Sequence, residues 1–203
     1  LLTGATGFLG VHVLKSFLES NTGTAYCLVR ATKSISAEQR LKTMLVYYFD
    51  QSFDEQFASG RIVCIDGDIT DAASLAALEK LPFGTLVNCA ACVKHFATGD
   101  VLERVNVAGV RNLIALCARV GRRLIQVSTV SVAGEGMDGN PPQYKRLHEN
   151  ELYFGQRLDN AYIHSKFMAE RAVLEGIAGG CLDAKIMRVG NLSARHSDGE
   201  FQI

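Results

Sequence analysis

The sequence predicts an α/β fold, a Rossmann-like doubly wound parallel sheet. Two observations carry that reading. Near-continuous apolar runs of strand length alternate with helix-period stretches along the whole chain. A glycine-spaced turn, "TGATGFLG" at residues 3–10, leads from the first run into the first helical stretch. Strands buried on both faces read as unbroken apolar runs, and their alternation with helices implies parallel crossovers.

Each element follows from the same pattern. The first strand is short, Leu1-Leu2, and later strands are expected at 25–29, 61–65, 85–88, 124–128 and 185–189. Helices are expected near 8–20, 37–49, 72–81, 101–120 and 162–176. Ser36 and Gln39 have the spacing of a capping box for the second helix. The stretch 134–160 reads as a long loop, suited to a lid or substrate wall.

Bulk properties exclude several functions. At 203 residues the chain can bury one sizeable core. A net charge of zero gives no electrostatic case for nucleic acid or an anionic membrane. No apolar run has the length of a membrane span, and no signal-peptide pattern precedes the first strand. The cysteines sit mostly inside apolar runs, as reduced thiols of a cytoplasmic protein do. Cys89 and Cys92 form a CxxC without a second pair, which favours a structural role over zinc or redox chemistry. The missing initiator Met and the end at Ile203 suggest one nucleotide-binding domain, 1–203, cut from a longer polypeptide.

Doubly wound sheets bind ligands beyond the carboxyl ends of their strands. The loop Thr3, Gly4, Thr6, Gly7, Phe8, Leu9 and Gly10 would admit a pyrophosphate to a helix N-terminus. The second strand ends in Arg30 where an NAD-binding acid would stand. A guanidinium suits a 2′-phosphate, so NADP(H) is favoured, with Arg40 as a second contact. Asp68 and Ile69 follow the third strand and could pair with and sandwich an adenine. Ala90 and Ala91, after the fourth, leave room for a ribose, and Lys94 and His95 follow them. Thr129 and Ser131 offer hydroxyls after the fifth strand. Tyr162 and Lys166 lie i, i+4 on one helix face, where the ammonium is expected to lower the phenol pKa.

These residues resemble the extended short-chain dehydrogenase/reductase superfamily in "TGATGFLG", "NVAGVRNLI", "VSTVSV" and Tyr162-x-x-x-Lys166. "CLVRA", "NCAACVKHF", "ELYFGQRLDNAYIHSKFMAE" and "RVGNLSARHSDGEFQ" resemble, more narrowly, the terminal thioester reductase domains of nonribosomal peptide synthetases. Carboxylic acid reductases and fatty acyl reductases are related to these. The resemblance implies NADPH-dependent reduction of a peptidyl or acyl thioester on the phosphopantetheine arm of a carrier (thiolation) domain. An aldehyde is released, which some members reduce to an alcohol. It implies that Thr129 polarises the carbonyl, Tyr162 donates the proton, and Lys166 holds the nicotinamide ribose and tunes Tyr162. Ser131 stays open as the alternative hydroxyl. It further implies that Asn106 orders the site, that Gly190, Asn191 and Leu192 border the nicotinamide, and that Arg195 reaches the cofactor or the pantetheine. A smaller, mostly helical substrate domain would follow and is largely missing from the chain. A sugar-nucleotide epimerase or dehydratase, or a non-catalytic NADP-binding sensor, remains the alternative.

Overall fold

The computed structural model describes residues 1–93, 100–136, 146–196, 198 and 199. Six strands form one sheet in the order β3-β2-β1-β4-β5-β6. They are β1 (Leu2–Thr3), β2 (Ala25–Val29), β3 (Ile62–Asp66), β4 (Thr85–Asn88), β5 (Arg123–Thr129) and β6 (Ala184–Val189). Every pairing in that order is parallel. The chain builds outward from β1 to β3, then returns to set β4 on the other side of β1. The switch point therefore lies between β1 and β4, where the glycine loop and Ala90-Ala91 meet.

The helices are α1 (Phe8–Ser20), α2 (Ala37–Phe49), α3 (Asp54–Ala58), α4 (Ala72–Ala76), α5 (Gly109–Val120) and α6 (Ala161–Ala178). Strand β2 shows why both faces of the sheet need cover. Cys27 and Val29 pack with Leu14 of α1 and with Leu41 and Leu45 of α2. Leu28, between them, points the other way and packs with Leu75 of α4 and Leu113 and Leu116 of α5. Side chains alternate across a strand, so this strand is apolar throughout.

Helices α1 and α2 have the bounds the sequence implies, and the Ser36 hydroxyl accepts the Gln39 N–H at 3.1 Å. The stretch 72–81 divides into α4 and a 3-10 turn, Ala77–Lys80, just before Pro82. The 101–120 stretch also divides, since Glu103–Ala108 is a π-helical turn in which the Gly109 N–H bonds the Arg104 carbonyl. Helix α3 was not legible, because five residues are too few to show a period.

The described part of 134–160 is fastened at its roots. Glu135 N–H donates to the Arg157 carbonyl at 3.1 Å, and Arg157 N–H donates to Gly136 at 3.0 Å. Buried Gln156 donates from Nε2 to the carbonyls of Val132 (3.0 Å) and Leu152 (2.7 Å). Gly134 has φ +79°, and a Cβ there would stand 2.3 Å from the Arg157 oxygen, so only glycine fits.

Candidate active site

The glycine loop is built by backbone contact. Gly4 has φ +73°, and a Cβ on it would meet the Ala90 nitrogen at 2.5 Å. A Cβ on Gly10 would lie 2.0 Å from the Gly4 oxygen. Both obstacles are main chain and cannot swing aside. Gly10→Ala is accordingly expected to destabilise the fold by about 3 kcal/mol and to weaken dinucleotide binding at least about tenfold. Urea denaturation and a fluorescence titration check this, and wild-type values in both would contradict it. Gly7 is the N-cap of α1 and supplies no side-chain acceptor, so the first-turn N–H groups remain available to an anion.

The loop opens onto a cleft along the carboxyl ends of the strands. One stretch is lined by Thr3, Gly4, Thr6, Gly7, Arg30, Arg40, Asp68, Ile69, Ala90 and Ala91. The next is lined by Gly7, Phe8, Leu9, Gly10, Thr129, Ser131, Tyr162, Lys166, Gly190, Asn191 and Leu192. Gly7, Cys89 and Ala91 border both stretches and join them. Lys94 and His95 lie outside the described residues.

At the β2 end, the exposed Arg30 guanidinium pairs with Asp68 at 3.3 Å. Arg40 of α2 donates to the Arg30 carbonyl, and both residues line this end of the cleft. Burial works against the Asp68 charge. Its bonds from the Thr70 N–H and hydroxyl, with Arg30 beside it, still hold the carboxyl below its usual value.

At the β5 end, the Thr129 oxygen accepts the Ser131 N–H and its hydroxyl donates to Ser131 Oγ, both at 3.1 Å. Helix α6 begins where the Asn160 side chain caps the N–H groups of Tyr162 (2.9 Å) and Ile163 (3.1 Å). That cap puts Tyr162 in the first turn and Lys166 one turn deeper. The lysine is 4% exposed and donates from Nζ to the Val127 carbonyl at 2.8 Å. Burial lowers its pKa to about 8, against the opposing pull of Glu170 and Cys89.

One electrostatic expectation is overturned. The sequence implies a Tyr162 pKa lowered by Lys166, yet burial pushes the phenol up, and Cys92 adds to the rise. Burial disfavours the phenolate, and the Lys166 ammonium is turned toward the Val127 carbonyl. Arg195, which the resemblance brings to the cofactor or the pantetheine, is not among the residues that line the cleft. It lies against α2, where its guanidinium donates to the Tyr48 carbonyl, pairs with Asp198 and sits 5.5 Å from the Phe49 ring. Burial raises the Cys89 thiol to about 11, the reverse of a reactive thiol.

Asn106 does bridge chain segments at the site. Its Oδ1 accepts the Cys92 N–H at 2.8 Å, and Nδ2 donates to the Cys92 carbonyl (3.0 Å) and to Ser165 Oγ (2.9 Å). The π turn provides the rotation that aims it there.

Sequence reasoning missed a buried polar row beneath the cleft. Thr3 Oγ1 donates to Asn88 Oδ1 at 2.5 Å, and Asn88 Nδ2 donates to Gln126 Oε1 at 2.8 Å. Gln126 Nε2 then donates to the Val127 carbonyl at 2.8 Å, the oxygen that Lys166 also uses. Also missed were Ser128, whose buried hydroxyl at the cleft has no partner among the described residues, and Glu170. The available signal was a polar residue inside an apolar strand or on an apolar helix face.

A glycine loop on a helix N-terminus without a side-chain cap, at the switch point of a parallel sheet, is the arrangement of a doubly wound dinucleotide-binding α/β fold. Residues 2–203 match the model of the NAD-binding family described as male sterility protein, and the chain belongs to that family. It is 31% identical over 98% of its length to isonitrile lipopeptide synthase of Streptomyces coeruleorubidus, covering 13% of that protein. It is 29% identical over 97% of its length to 3 beta-hydroxysteroid dehydrogenase type 7 of Rattus norvegicus, covering 54% of it. Among solved structures, a thiolation-reductase di-domain from an archaeal non-ribosomal peptide synthetase superposes with a TM-score of 0.88 at 43% identity. That match spans 99% of this chain and 43% of the di-domain. The chain thus spans roughly half or less of each relative's length.

Proposed function

We propose that the chain carries the cofactor-binding half of an NADPH-dependent reductase that releases a carrier-bound peptidyl or acyl thioester as an aldehyde. The observation that carries this is the convergence of Thr129, Tyr162 and Lys166 on the cleft that also holds the glycine loop. The 43% identity to a thiolation-reductase di-domain favours a thioester over a steroid or sugar-nucleotide substrate. The partner is then a phosphopantetheine-bearing carrier domain. Among the described residues no helix is long and apolar enough to cross a membrane.

The residues present fit NADP(H). The open N-terminus of α1 and the side-chain-free surfaces of Gly4, Gly7 and Gly10 take the pyrophosphate. Arg30 and Arg40 together suit a 2′-phosphate. Asp68 and Ile69 flank the adenine, Ala90 and Ala91 the ribose, and Gly190, Asn191 and Leu192 the nicotinamide end. When bound, the reduced nicotinamide supplies the hydride. Thr129 and Tyr162 then donate hydrogen bonds to the thioester carbonyl oxygen, where negative charge develops. A phenol kept protonated by burial is the form that can deliver a proton to that oxygen. Lys166 holds the ribose and offsets the charge left on Tyr162. Collapse of the thiohemiacetal breaks the C–S bond, its hydroxyl proton passes to the departing sulfur, and aldehyde and free pantetheine thiol result.

The test is to incubate the full-length protein with NADPH and a carrier loaded with an acyl thioester. Aldehyde or alcohol in the mass spectrum is the expected product. Retention of the intact thioester, or chemistry without net NADPH consumption, would reject this reading, the latter in favour of an epimerase or dehydratase. In parallel, NADPH should bind at least about tenfold tighter than NADH, and Arg30→Ala should erase most of that gap. Equal affinities would remove the case for NADP(H).

A further inference from the structure

Glu170 is a fully buried carboxylate that the proposed reaction leaves unused. It follows Lys166 by four residues and Tyr162 by eight on α6, so the three share one helix face. Its carboxylate takes the Arg188 guanidinium of β6. Arg188 Nε lies 3.1 and 3.0 Å from the two oxygens, and Nη2 lies 2.8 Å from Oε2. The same guanidinium also donates to the carbonyl of Glu151 at 2.7 Å and that of His148 at 3.4 Å. One cation therefore joins α6, β6 and the segment at 148–151. Eight residues after His148, Gln156 fastens that segment to the Val132 carbonyl, in the turn that follows Thr129.

A continuous brace results. It starts at the helix bearing Tyr162 and Lys166, passes through Glu170, Arg188 and residues 148–156, and ends at the turn bearing the Thr129 hydroxyl. Helix α6 and the end of β5 are separate elements whose spacing a two-donor site must fix closely. Apolar residues would fill the volume of a buried ion pair at least as stably, so packing alone does not account for it.

We propose that Glu170 and Arg188 are positioning residues, the clamp that holds Tyr162 and Lys166 at their working distance from Thr129. The proposal rests on the reductase reading only for the roles of those three groups. It has an electrostatic corollary. The titratable groups that bear on the Lys166 charge are Glu170 on its own helix and Cys89 from the end of β4. Removing the Glu170 charge takes away support for the ammonium, so the alkaline limb of activity moves to lower pH.

The experiment compares Glu170→Gln and the apolar double variant Glu170→Met/Arg188→Met in the full-length protein. Both are expected to lower kcat by about tenfold or more while NADPH affinity stays within about threefold. The alkaline limb should fall in Glu170→Gln, and amide exchange over 148–156 should quicken in both. Wild-type kcat, pH profile and exchange, with only a lower melting temperature, would overturn the clamp. Should Glu170→Gln fail to fold, the double variant decides by kcat and exchange. Lys166→Ala in the same assay separates the two claims. Absence of aldehyde from the wild-type protein would remove the reductase reading, turnover that survives Lys166→Ala would remove Lys166 from the site the clamp serves, and an active wild type with an inactive Lys166→Ala beside wild-type-like clamp variants removes only the clamp.

Discussion

Under the proposed reductase mechanism, Tyr162→Phe is expected to lower the kcat of thioester reduction by about a thousandfold and to leave NADPH affinity within about threefold. The change deletes one oxygen from a half-buried ring and leaves the helix start intact, since the Asn160 cap bonds the backbone of residue 162 rather than its phenol. On that mechanism Thr129, which lines the same cleft, would still offer one hydrogen bond to the carbonyl oxygen, but no group would deliver the proton. The loss should therefore appear in kcat and hardly in cofactor binding. Stopped-flow NADPH oxidation with a carrier-loaded thioester, set beside a fluorescence titration, measures both. Turnover within about tenfold of wild type would take Tyr162 out of the chemistry. The raised phenol pKa adds a sign to this. Burial keeps Tyr162 protonated well into the alkaline range, so the alkaline limb of wild-type reduction belongs to Lys166, near its pKa of about 8.

What was legible in the sequence was what spacing encodes. The glycine loop, the strand ends and the Tyr162–Lys166 pair are local patterns, and each described member lines the cleft. Alternating apolar runs gave the parallel sheet because strands covered on both faces must be apolar throughout. The illegible parts depend on what packs across the fold. A π turn inserts no sequence mark into the 101–120 period, yet it aims Asn106 at Cys92. The resemblance implied that Arg195 reaches the cofactor or the pantetheine, but the chain carries it to α2 and Phe49. The direction of the Tyr162 shift was missed for a related reason. Spacing announces a neighbouring charge, whereas desolvation depends on everything packed around the ring. Glu170 looked like an ordinary helix residue until β6 supplied Arg188.

Lys166→Met is expected to stabilise the cofactor-free protein and, under the proposed mechanism, to abolish hydride transfer. The ammonium sits at 4% exposure with the Val127 carbonyl as its acceptor, and Glu170 beyond it is already engaged by Arg188. Its pKa falls from 10.5 to about 8 because burial penalises the charged form. A lysine whose folded pKa is lowered binds fewer protons in the native state than in the unfolded one. Its burden on stability is therefore fully present below about pH 8 and is relieved as pH rises from there toward 10.5. That difference corresponds to about 3 kcal/mol at neutral pH. A methionine has similar length, needs no counter-charge and fills irregular space well. Urea denaturation at pH 7 should then show a gain of about 1–3 kcal/mol for Lys166→Met, shrinking toward zero near pH 10. A loss of stability at pH 7 would mean that the ammonium is well compensated without cofactor, and the account of a strained site would fail. The gain and the lost activity have one cause, because a desolvated ammonium kept short of acceptors is costly in the folded chain and is poised to bind the hydroxyl groups of a ribose.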